Sequence, residues 1–362
     1  MRRVLALNPG QVVPHYNLGV AEFHLGRYAE TLTFSRRAAI VDPLHADSIY
    51  NEAQARLALG DWSRGFALYE NRWAAPSFPM RRPTLPGRRW NGQPVPSATL
   101  LVFAEQGFGD TLQFVRYARL AEPLVGRIVL ACPPALVRLA STAPGVARVC
   151  DQTKPLPSAD LNVMLLSMPF MFGTVPGTVP KEIPYLTPSV AAADAAEAVL
   201  AGVPALRVGL CWKGNIVFVD DDRRSPGLAV MQSLLGVSGC CFISLVKMPG
   251  TDPVEELGIF DPMPKMNDFA DTAGLLAQLD LIITSDTAVA HLAGALARPC
   301  WLMLSAAADW RWLMTGTTTP WYPSMRLFRQ TTLGDWASAV EEVRVALVDW
   351  AANGHAASHT RR

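Results

Sequence analysis

Short apolar runs alternate with amphipathic stretches along the chain from Thr99 onward. Such runs are typical of strands buried in a parallel sheet, and the stretches between them have the spacing of helices. The predicted strands form two series, Leu100–Ala104, Arg127–Ala131, Ala147–Cys150 and Leu161–Leu166 in the first and Val208–Trp212, Cys241–Leu245, Leu281–Thr284 and Cys300–Leu304 in the second. Helices are predicted over Thr111–Ala121, 270–279, 287–297 and Trp336–Trp350. Two alternating series predict the α/β class, with two Rossmann-like domains that each hold a parallel sheet.

An internal repeat precedes the two series. Four pairs of identical residues lie 34 positions apart, namely Pro9 and Pro43, Tyr16 and Tyr50, Leu25 and Leu59, and Gly26 and Gly60. This spacing is the period of a tetratricopeptide helix pair. The segment from Tyr16 to Pro43 resembles one whole repeat of that family, and the segment from Tyr50 to Trp73 resembles a second. Because about three repeats are needed for stability, we expect this short all-α segment to pack against the next domain.

These patterns predict six segments along the chain. A Pro- and Arg-rich stretch without helical or strand periodicity is typical of a semi-rigid linker between the repeats and the first series. We expect the chain to begin inside a repeat, at residues 1–9. The predicted segments are partial tetratricopeptide helices at 1–73, the linker at 74–98, an N-terminal Rossmann-like domain at 99–195, a C-terminal Rossmann-like domain at 196–332, a C-terminal helix at 333–353 and a disordered tail at 354–362.

Composition and charge narrow the function classes. Half of the residues are apolar and 17% are charged, which is typical of a well-packed globular protein. The net charge of +1 argues against an electrostatic grip on nucleic acid. Six scattered cysteines without a CxxC pair favour buried thiols over a zinc cluster or a disulfide framework. Because no leader pattern and no run of about 18 apolar residues is present, the sequence predicts a cytoplasmic protein without a transmembrane segment.

Loops that follow strands are the places to look for chemistry, because ligands of open parallel sheets bind beyond the carboxyl ends of the strands. The first such loop, 105–111, has the sequence EQGFGDT. Its glycines allow the backbone to approach a substrate closely, and Asp110 would lie at a helix start facing the cleft. The alternative is that Asp110 only caps the helix. As a dinucleotide fingerprint the loop is weak, because Leu112 occupies the third glycine position.

A second loop follows the first strand of the second series and contains Lys213 and Gly214. A lysine ammonium binds phosphate as a point charge, and a glycine lets the chain turn over that phosphate. A solvated loop lysine is the alternative. This loop alone therefore indicates an anion site only weakly.

The third loop, 284–295, has the most specific pattern, TSDTAVAHLAGA. A hydrophobic strand leads through Asp286 into a helix of small residues. The first amides of this helix, at Thr287, Ala288 and Val289, would form an anion site supported by the helix dipole. His291 lies one turn further along, where it is either a ligand-binding group or a histidine satisfied within the core.

A run of three aspartates offers a different reading of the second series. Asp220 and Asp222 have the DxD spacing with which GT-A enzymes bind a divalent metal through carboxylate oxygens. Three acidic residues are a weak signal, and a solvated loop is the favoured explanation. Because the two Rossmann-like series disfavour a GT-A fold, we predict no metal site.

In order and placement, these motifs resemble those of the heptosyltransferase-like glycosyltransferases of family nine. The residues that carry the resemblance are Gly109-Asp110, Lys213 and Asp286–Leu292. With its repeats, the chain is also similar to bacterial repeat-containing glycosyltransferases and, more remotely, to O-linked N-acetylglucosamine transferases. The resemblance covers nearly all of residues 8–350. It departs at Ile216–Asp222 and at Ser305–Ala308, where relatives of this type have a different loop.

The resemblance implies a GT-B fold, with two facing domains and a nucleotide-sugar donor held mainly by the second. It makes Asp110 the general base on the acceptor hydroxyl. The residues it implies for donor binding, to which Arg224 is added as a nearby cation, are Gly109, Lys213, Arg224, Asp286, Thr287, Ala288, Val289 and His291. No cofactor and no metal is expected, since the nucleotide sugar is the donor substrate. Asp309–Trp312 and Trp321–Pro323 are expected to line the pocket.

The predicted function is transfer of a sugar from a nucleotide diphosphate to a hydroxyl on a protein or glycan. A protein partner is expected to bind through the repeats. Two alternatives stay open at this point. One is a sugar-nucleotide epimerase, which would need no repeats, and the other is a non-catalytic tetratricopeptide interaction protein with a degenerate transferase body.

Overall fold

The computed structural model describes residues 10–204, 206–214, 221–247, 250 and 252–353. Three sequence expectations fall outside these residues. They are the start inside a repeat before Asn8, the part 216–220 of the irregular stretch Ile216–Asp222, which holds Asp220 of the DxD spacing, and the tail at 354–362.

The described residues form two parallel sheets of five strands each. The first has the strand order β1-β5-β2-β3-β4, and the second has the order β10-β9-β8-β6-β7. The strands are β1 Arg88–Arg89, β2 Val95–Phe103, β3 Val125–Cys132, β4 Arg148–Asp151, β5 Leu161–Met164, β6 Arg207–Cys211, β7 Cys241–Ser244, β8 Leu281–Ser285, β9 Cys300–Leu304 and β10 Met325–Arg329.

Helices flank both sheets and also form an N-terminal segment. The α-helices are α1 Val12–His24, α2 Tyr28–Val41, α3 Ala46–Ala58, α4 Trp62–Tyr69, α5 Phe108–Phe114, α6 Ala118–Ala121, α7 Val137–Ala140, α8 Met168–Met171, α9 Val190–Val199, α10 Asp221–Arg224, α11 Leu228–Met231, α12 Phe269–Ala277, α13 Ala288–Ala295 and α14 Trp336–Asn353. The predicted fold class, two Rossmann-like domains preceded by an all-α segment, is confirmed. That this segment is tetratricopeptide stays a prediction, as do the domain boundaries.

Edge strands account for what the hydrophobic pattern missed. Central strands β6 and β8 are buried at every position, so each reads as a continuous apolar run. Edge strand β1 is exposed at both of its arginines, and edge strand β10 exposes Arg326. Residues 74–98 therefore contain β1 and the start of β2, although the sequence predicted a linker without strands. An exposed polar edge leaves no apolar run to detect.

The predicted helix Thr111–Ala121 is three shorter pieces in the structure. Helix α5 begins at Phe108, three residues earlier, because Gly107 takes the N-cap position. A 3₁₀ turn at Val115–Tyr117 separates α5 from α6. The early start places Gly109 and Asp110 within the first turn of α5, where they face the second domain.

The N-terminal helices (α1–α4 with the 3₁₀ turn Glu70–Ala74) form what we call the helical segment, and it packs against both domains. The Tyr28 hydroxyl donates a hydrogen bond of 2.6 Å to the Ala308 carbonyl in the second domain. The Trp62 indole stacks on Trp321 with ring centroids 5.1 Å apart. At the other end, the Arg72 guanidinium bonds the Glu105 carboxylate of the first domain at 2.7 Å. These buried contacts make the helical segment continuous with the main core.

Arg116 ties the two domains together behind the cleft. Its guanidinium donates to the Trp321 carbonyl and to the Tyr185 hydroxyl, each at 2.8 Å, and lies over the Tyr322 ring. Helix α14 then packs on the second sheet, where Trp350 contacts Trp301. Among the described helices, none has the length and apolarity that crossing a bilayer requires.

Candidate functional site

Two of the three predicted loops meet across the gap between the sheets. Gly109, in the first turn of α5, lies against α13 of the other domain. A Cβ atom added at Gly109 would be 2.7 Å from His291 Cδ2 and 3.6 Å from Ala288 Cα. Only a residue without a side chain fits so close to another helix. The structure therefore brings Gly109, Ala288 and His291 together.

Asp110 uses both of its carboxylate oxygens. Oδ2 accepts a hydrogen bond of 2.8 Å from the Gly107 amide, so the helix-capping alternative is correct in geometry. Oδ1 accepts from the Arg311 guanidinium of the second domain. Burial raises the pKa of Asp110 above its usual value, and Arg311 and the Gly107 amide oppose that rise. Asp110 therefore caps its helix and also faces the cleft as half of an ion pair between domains.

Arg311 is a site residue whose role the sequence did not reveal, although its motif was expected to line the pocket. Its guanidinium donates to Asp309 Oδ1 at 2.9 Å and to Gln113 Oε1 at 2.8 Å, besides Asp110. It also lies over the Trp310 ring, with the guanidinium carbon 4.5 Å from the centroid. The sequence signal was one arginine between two tryptophans, which could not show that its partner lies about 200 residues earlier, at Asp110.

The start of helix α13 has the features of an anion site. Its N-cap is Thr287, and no side chain caps the first amides, so they keep free N–H groups in the usual way of a helix start. Ala288 is partly exposed at this end, whereas Thr287, Val289 and Ala290 are buried. A Cβ atom added at Gly214 would be 3.4 Å from Thr287 Cγ2 and 2.8 Å from Arg224 Nη2. The second and third predicted loops are thus adjacent.

Asp221 organises the second loop. Its Oδ1 accepts from Arg224 Nε at 2.9 Å, and its Oδ2 accepts from the Gly214 amide at 3.1 Å. The middle aspartate of the acidic run therefore braces the loop and orients Arg224. Within the described part of the chain, no group of three or more His, Cys, Asp or Glu side chains is placed to share a metal ion.

Lys213 lies at this loop but has a carboxylate partner. Its ammonium is 2.7 Å from Asp252 Oδ2, and the same oxygen accepts from the Trp212 indole at 2.8 Å. A phosphate at Lys213 would therefore share this ammonium with Asp252 or displace it.

His291 and Asp286 have pKa values shifted by burial. Burial lowers the pKa of His291 well below its usual value, and Arg311, Arg116 and Arg224 act in the same direction. The imidazole is therefore neutral; Nδ1 lies 3.0 Å from the Tyr322 hydroxyl, and the ring stacks on Trp312. Burial and the Asp309 carboxylate raise the pKa of Asp286 to about 6, against the pull of Arg224.

Glu105, from the first loop, points away from the cleft. It is buried against Arg72, and its Oε1 also accepts from the Leu166 amide at 3.1 Å. Burial raises the pKa of Glu105 to about 7, although Arg72 pulls it down. Glu105 thus attaches the helical segment to the first domain beside the site rather than lining the site.

Comparisons of the sequence with known proteins give a distant relative and no family match. No family model matches the chain. Protein FlbA of Caulobacter vibrioides is 26% identical over an alignment of 388 positions, which covers 96% of this chain and 63% of FlbA. The chain therefore spans less than two thirds of the length of that curated relative.

Solved structures agree in fold. A family 9 glycosyltransferase from Veillonella parvula superimposes with a TM-score of 0.50 at 10% identity, over 73% of this chain and 99% of that one. The ADP-heptose lps heptosyltransferase II of E. coli superimposes with a TM-score of 0.45 at 12% identity, over 69% of this chain and 99% of that one. Together with the two parallel sheets, the first of these superpositions shows a GT-B-like glycosyltransferase fold.

Proposed function

We propose that this protein is a glycosyltransferase that moves a sugar from a nucleotide diphosphate donor to a hydroxyl group on a protein or glycan, without a metal ion. The observation that supports this most is the meeting of Asp110 and Gly109 from one domain with Arg311 and His291 from the other. A carboxylate therefore faces a region of helix amides and cations across the cleft of a GT-B-like fold. Sugar transfer needs this combination of base and anion site.

The C-terminal half of the site would bind the donor. Transfer of the sugar leaves negative charge on the departing diphosphate, which fixed dipoles and cations stabilise when no metal is present. The first amides of α13, the Arg224 guanidinium and the Lys213 ammonium lie around the same loops. His291 is neutral, so a Tyr322 hydroxyl that donates to Nδ1 would leave Nε2–H as an uncharged donor toward the ligand. Asp286, which directly precedes the N-cap residue Thr287, belongs to the same donor half of the site.

The N-terminal half would activate the acceptor. A general base works best when its pKa approaches the working pH, and burial moves the pKa of Asp110 in that direction. Arg311 opposes that rise and so favours the ionised carboxylate. The acceptor hydroxyl would give its proton to Asp110 as the new bond to the sugar forms. If the helical segment is tetratricopeptide as predicted, a protein acceptor or partner would bind to it.

Nucleotide binding tests the donor half. We expect the wild-type chain to bind at least one of ADP, UDP, GDP, CDP and dTDP in calorimetry, and a saturating ligand at about 100 times Kd should add ~2.7 kcal/mol of stability. Lys213→Ala should weaken that binding by about tenfold to a hundredfold, because a hydrogen bond to a charged group contributes about 1.5–3 kcal/mol.

Lys181→Ala is the matched control, because Lys181 is an exposed lysine on the link between the two sheets. Equal affinity in the Lys213 and Lys181 variants would remove Lys213 from the donor site. If no nucleotide diphosphate bound, the non-catalytic interaction protein would be the better reading. Mass spectrometry of a nucleotide-sugar panel, with and without cell extract, separates a transferase from an epimerase. Transfer releases the nucleoside diphosphate and adds the mass of the sugar to an acceptor, whereas epimerisation leaves the mass of the donor unchanged.

A further inference from the structure

Arg311 is held in one orientation by its contacts. Each of its three guanidinium nitrogens donates to a different acceptor, Nη2 to Asp110, Nη1 to Asp309 and Nε to Gln113. Its side chain is buried, with a relative exposure of 7% for the residue. A planar guanidinium bonded at all three nitrogens can neither rotate nor shift without breaking a charge-assisted bond. The orientation of Arg311 therefore fixes where its positive charge lies relative to the Asp110 carboxylate.

Aromatic rings from the helical segment hold the residue next to Arg311. The Trp310 indole lies against Arg311 on one side. The same indole contacts two rings of α4 edge-on, with centroid distances of 6.0 Å to Trp62 and 5.4 Å to Phe66. All three aromatic residues are buried. A continuous line of contacts thus runs from α4 through Trp310 and Arg311 to the Asp110 carboxylate.

The loop that carries Trp310 is built to receive the helical segment. Its first part, residues 305–308, consists of one serine and three alanines. A Cβ atom added at Gly26 would be 3.1 Å from Ala307 Cα, and the Tyr28 hydroxyl bonds the Ala308 carbonyl. Larger residues at these positions would push the helical segment away. The departure from the family at Ser305–Ala308 therefore has a structural reason.

We propose that Arg311 is a positioning residue for Asp110, and that the helical segment holds Arg311 in place through Trp62 and Trp310. The catalytic meaning of this inference rests on the proposed function, whereas the contacts themselves do not. In this arrangement the helices are part of the active site. Their loss would disturb the base even with both Rossmann-like domains intact.

The charge environment of Asp110 explains why its partner matters. The groups that face it are Arg311 with Asp309 behind it, the Tyr69 hydroxyl of the helical segment, the neutral His291 beside Gly109, and the Gly107 amide. Arg311 is the cation in this set. Without it, only backbone hydrogen bonds such as that from the Gly107 amide would oppose the effect of burial, and protonation would shift toward higher pH.

Titration of Asp110 by carbon-13 NMR tests the inference on the full chain without donor or acceptor. The chain is labelled at aspartate carboxyl carbons, and the Asp110 signal is assigned by its loss in Asp110→Asn. In Arg311→Gln we expect the midpoint of Asp110 to rise by about one pH unit or more, the usual size of a nearby opposite charge. In Trp62→Ala we expect a smaller rise in the same direction, and in Trp62→Phe a return toward the wild-type midpoint.

Trp301→Ala is the matched control, because Trp301 is a buried tryptophan of β9 that contacts Phe328 of β10 and Trp350 of α14. It should leave the Asp110 midpoint unchanged. An unchanged midpoint in Arg311→Gln would overturn the proposal. A shift in Arg311→Gln but none in Trp62→Ala would overturn the part about the helical segment. Should Arg311→Gln fail to fold, Arg311→Met replaces it, since methionine keeps much of the side-chain volume without the cation, and an unchanged midpoint there counts against the proposal too.

Kinetics add a second readout once an acceptor is identified. A positioning role predicts that Trp62→Ala lowers kcat and moves the acid limb of the pH profile to higher pH, while the KM for the donor stays the same. A purely structural role would change the unfolding temperature without moving that limb. Because NMR needs no turnover, failure of nucleotide binding and failure of this inference remain separate results.

Discussion

Replacing Arg72 by methionine is expected to lower the free energy of unfolding by about 3–5 kcal/mol at pH 8.5, because it leaves the buried Glu105 carboxylate without its cation. Arg72 is fully buried and also bonds Ser167 at 3.1 Å and Glu70 at 3.1 Å. Methionine keeps most of the side-chain volume, so the loss of charge dominates. Urea unfolding followed by circular dichroism measures the difference.

The loss of stability caused by Arg72→Met should depend on pH, in a direction set by the pKa of Glu105. Burial raises the pKa of Glu105 from 4.5 to about 7 in the folded chain, so between these values the folded state binds a proton that the unfolded state does not. The contribution of Glu105 to the free energy of unfolding is therefore fully present at low pH and is lost as the pH rises through about 7. Without Arg72 the pKa rises further, so the cost of Arg72→Met should be smaller at pH 5.5 than at pH 8.5.

The matched control is the double variant Arg72→Met with Glu105→Gln, which removes both charges. It should recover much of the lost stability at pH 8.5, because an uncharged amide is cheaper to bury than an unpaired carboxylate. A single variant as stable as the wild type at pH 8.5 would mean that this ion pair does not attach the helical segment.

Asp110→Asn is expected to reduce kcat by about 10²–10⁴-fold, the range for loss of a general base. Nucleotide affinity should stay near the wild-type value, because the donor half of the site lies on the other domain. Product formation from the nucleotide sugar identified by mass spectrometry measures the first quantity, and calorimetry with the matching diphosphate measures the second.

Asp335→Asn controls for helix capping in this experiment. Asp335 accepts from the Ser338 amide near the start of α14, much as Asp110 accepts from the Gly107 amide. Asp335→Asn gives the effect of a lost cap on the unfolding temperature, and Asp110→Asn should lower that temperature further, because it also takes a carboxylate partner from Arg311. Wild-type turnover in Asp110→Asn would exclude Asp110 as the base, even if the nucleotide binds.

The sequence predicted the architecture where burial is complete. Strand β9 was predicted with its observed bounds, Cys300–Leu304, because every residue in it is apolar and buried. Edge strand β1 could not be predicted, since it consists of two exposed arginines that pair with β5 only at Arg88 and Arg89. Apolar runs report burial on both faces of a sheet, and an edge strand lacks that burial.

The sequence indicated which loops form the site, but not which of their side chains bind each other. The glycine motif and the Ser285-Asp286-Thr287 motif could be located because strand ends and helix starts have local signals. The bond from Arg311 to Asp110 joins residues from different domains, and no periodicity or spacing encodes it. The pairing of Lys213 with Asp252 was also missed, because no periodicity or spacing encodes it either. Local patterns locate groups, whereas folding decides which groups become partners.

Helix α4 and the turn after it are attached to both halves of the cleft, and this limits how the cleft can open. Arg72 anchors that end to the first domain, while Trp62 is stacked on Trp321 of the second. A rotation that separates the two sheets must therefore pivot close to α4 or break one of these buried contacts. We therefore expect any opening of the cleft to be widest on the side away from α4.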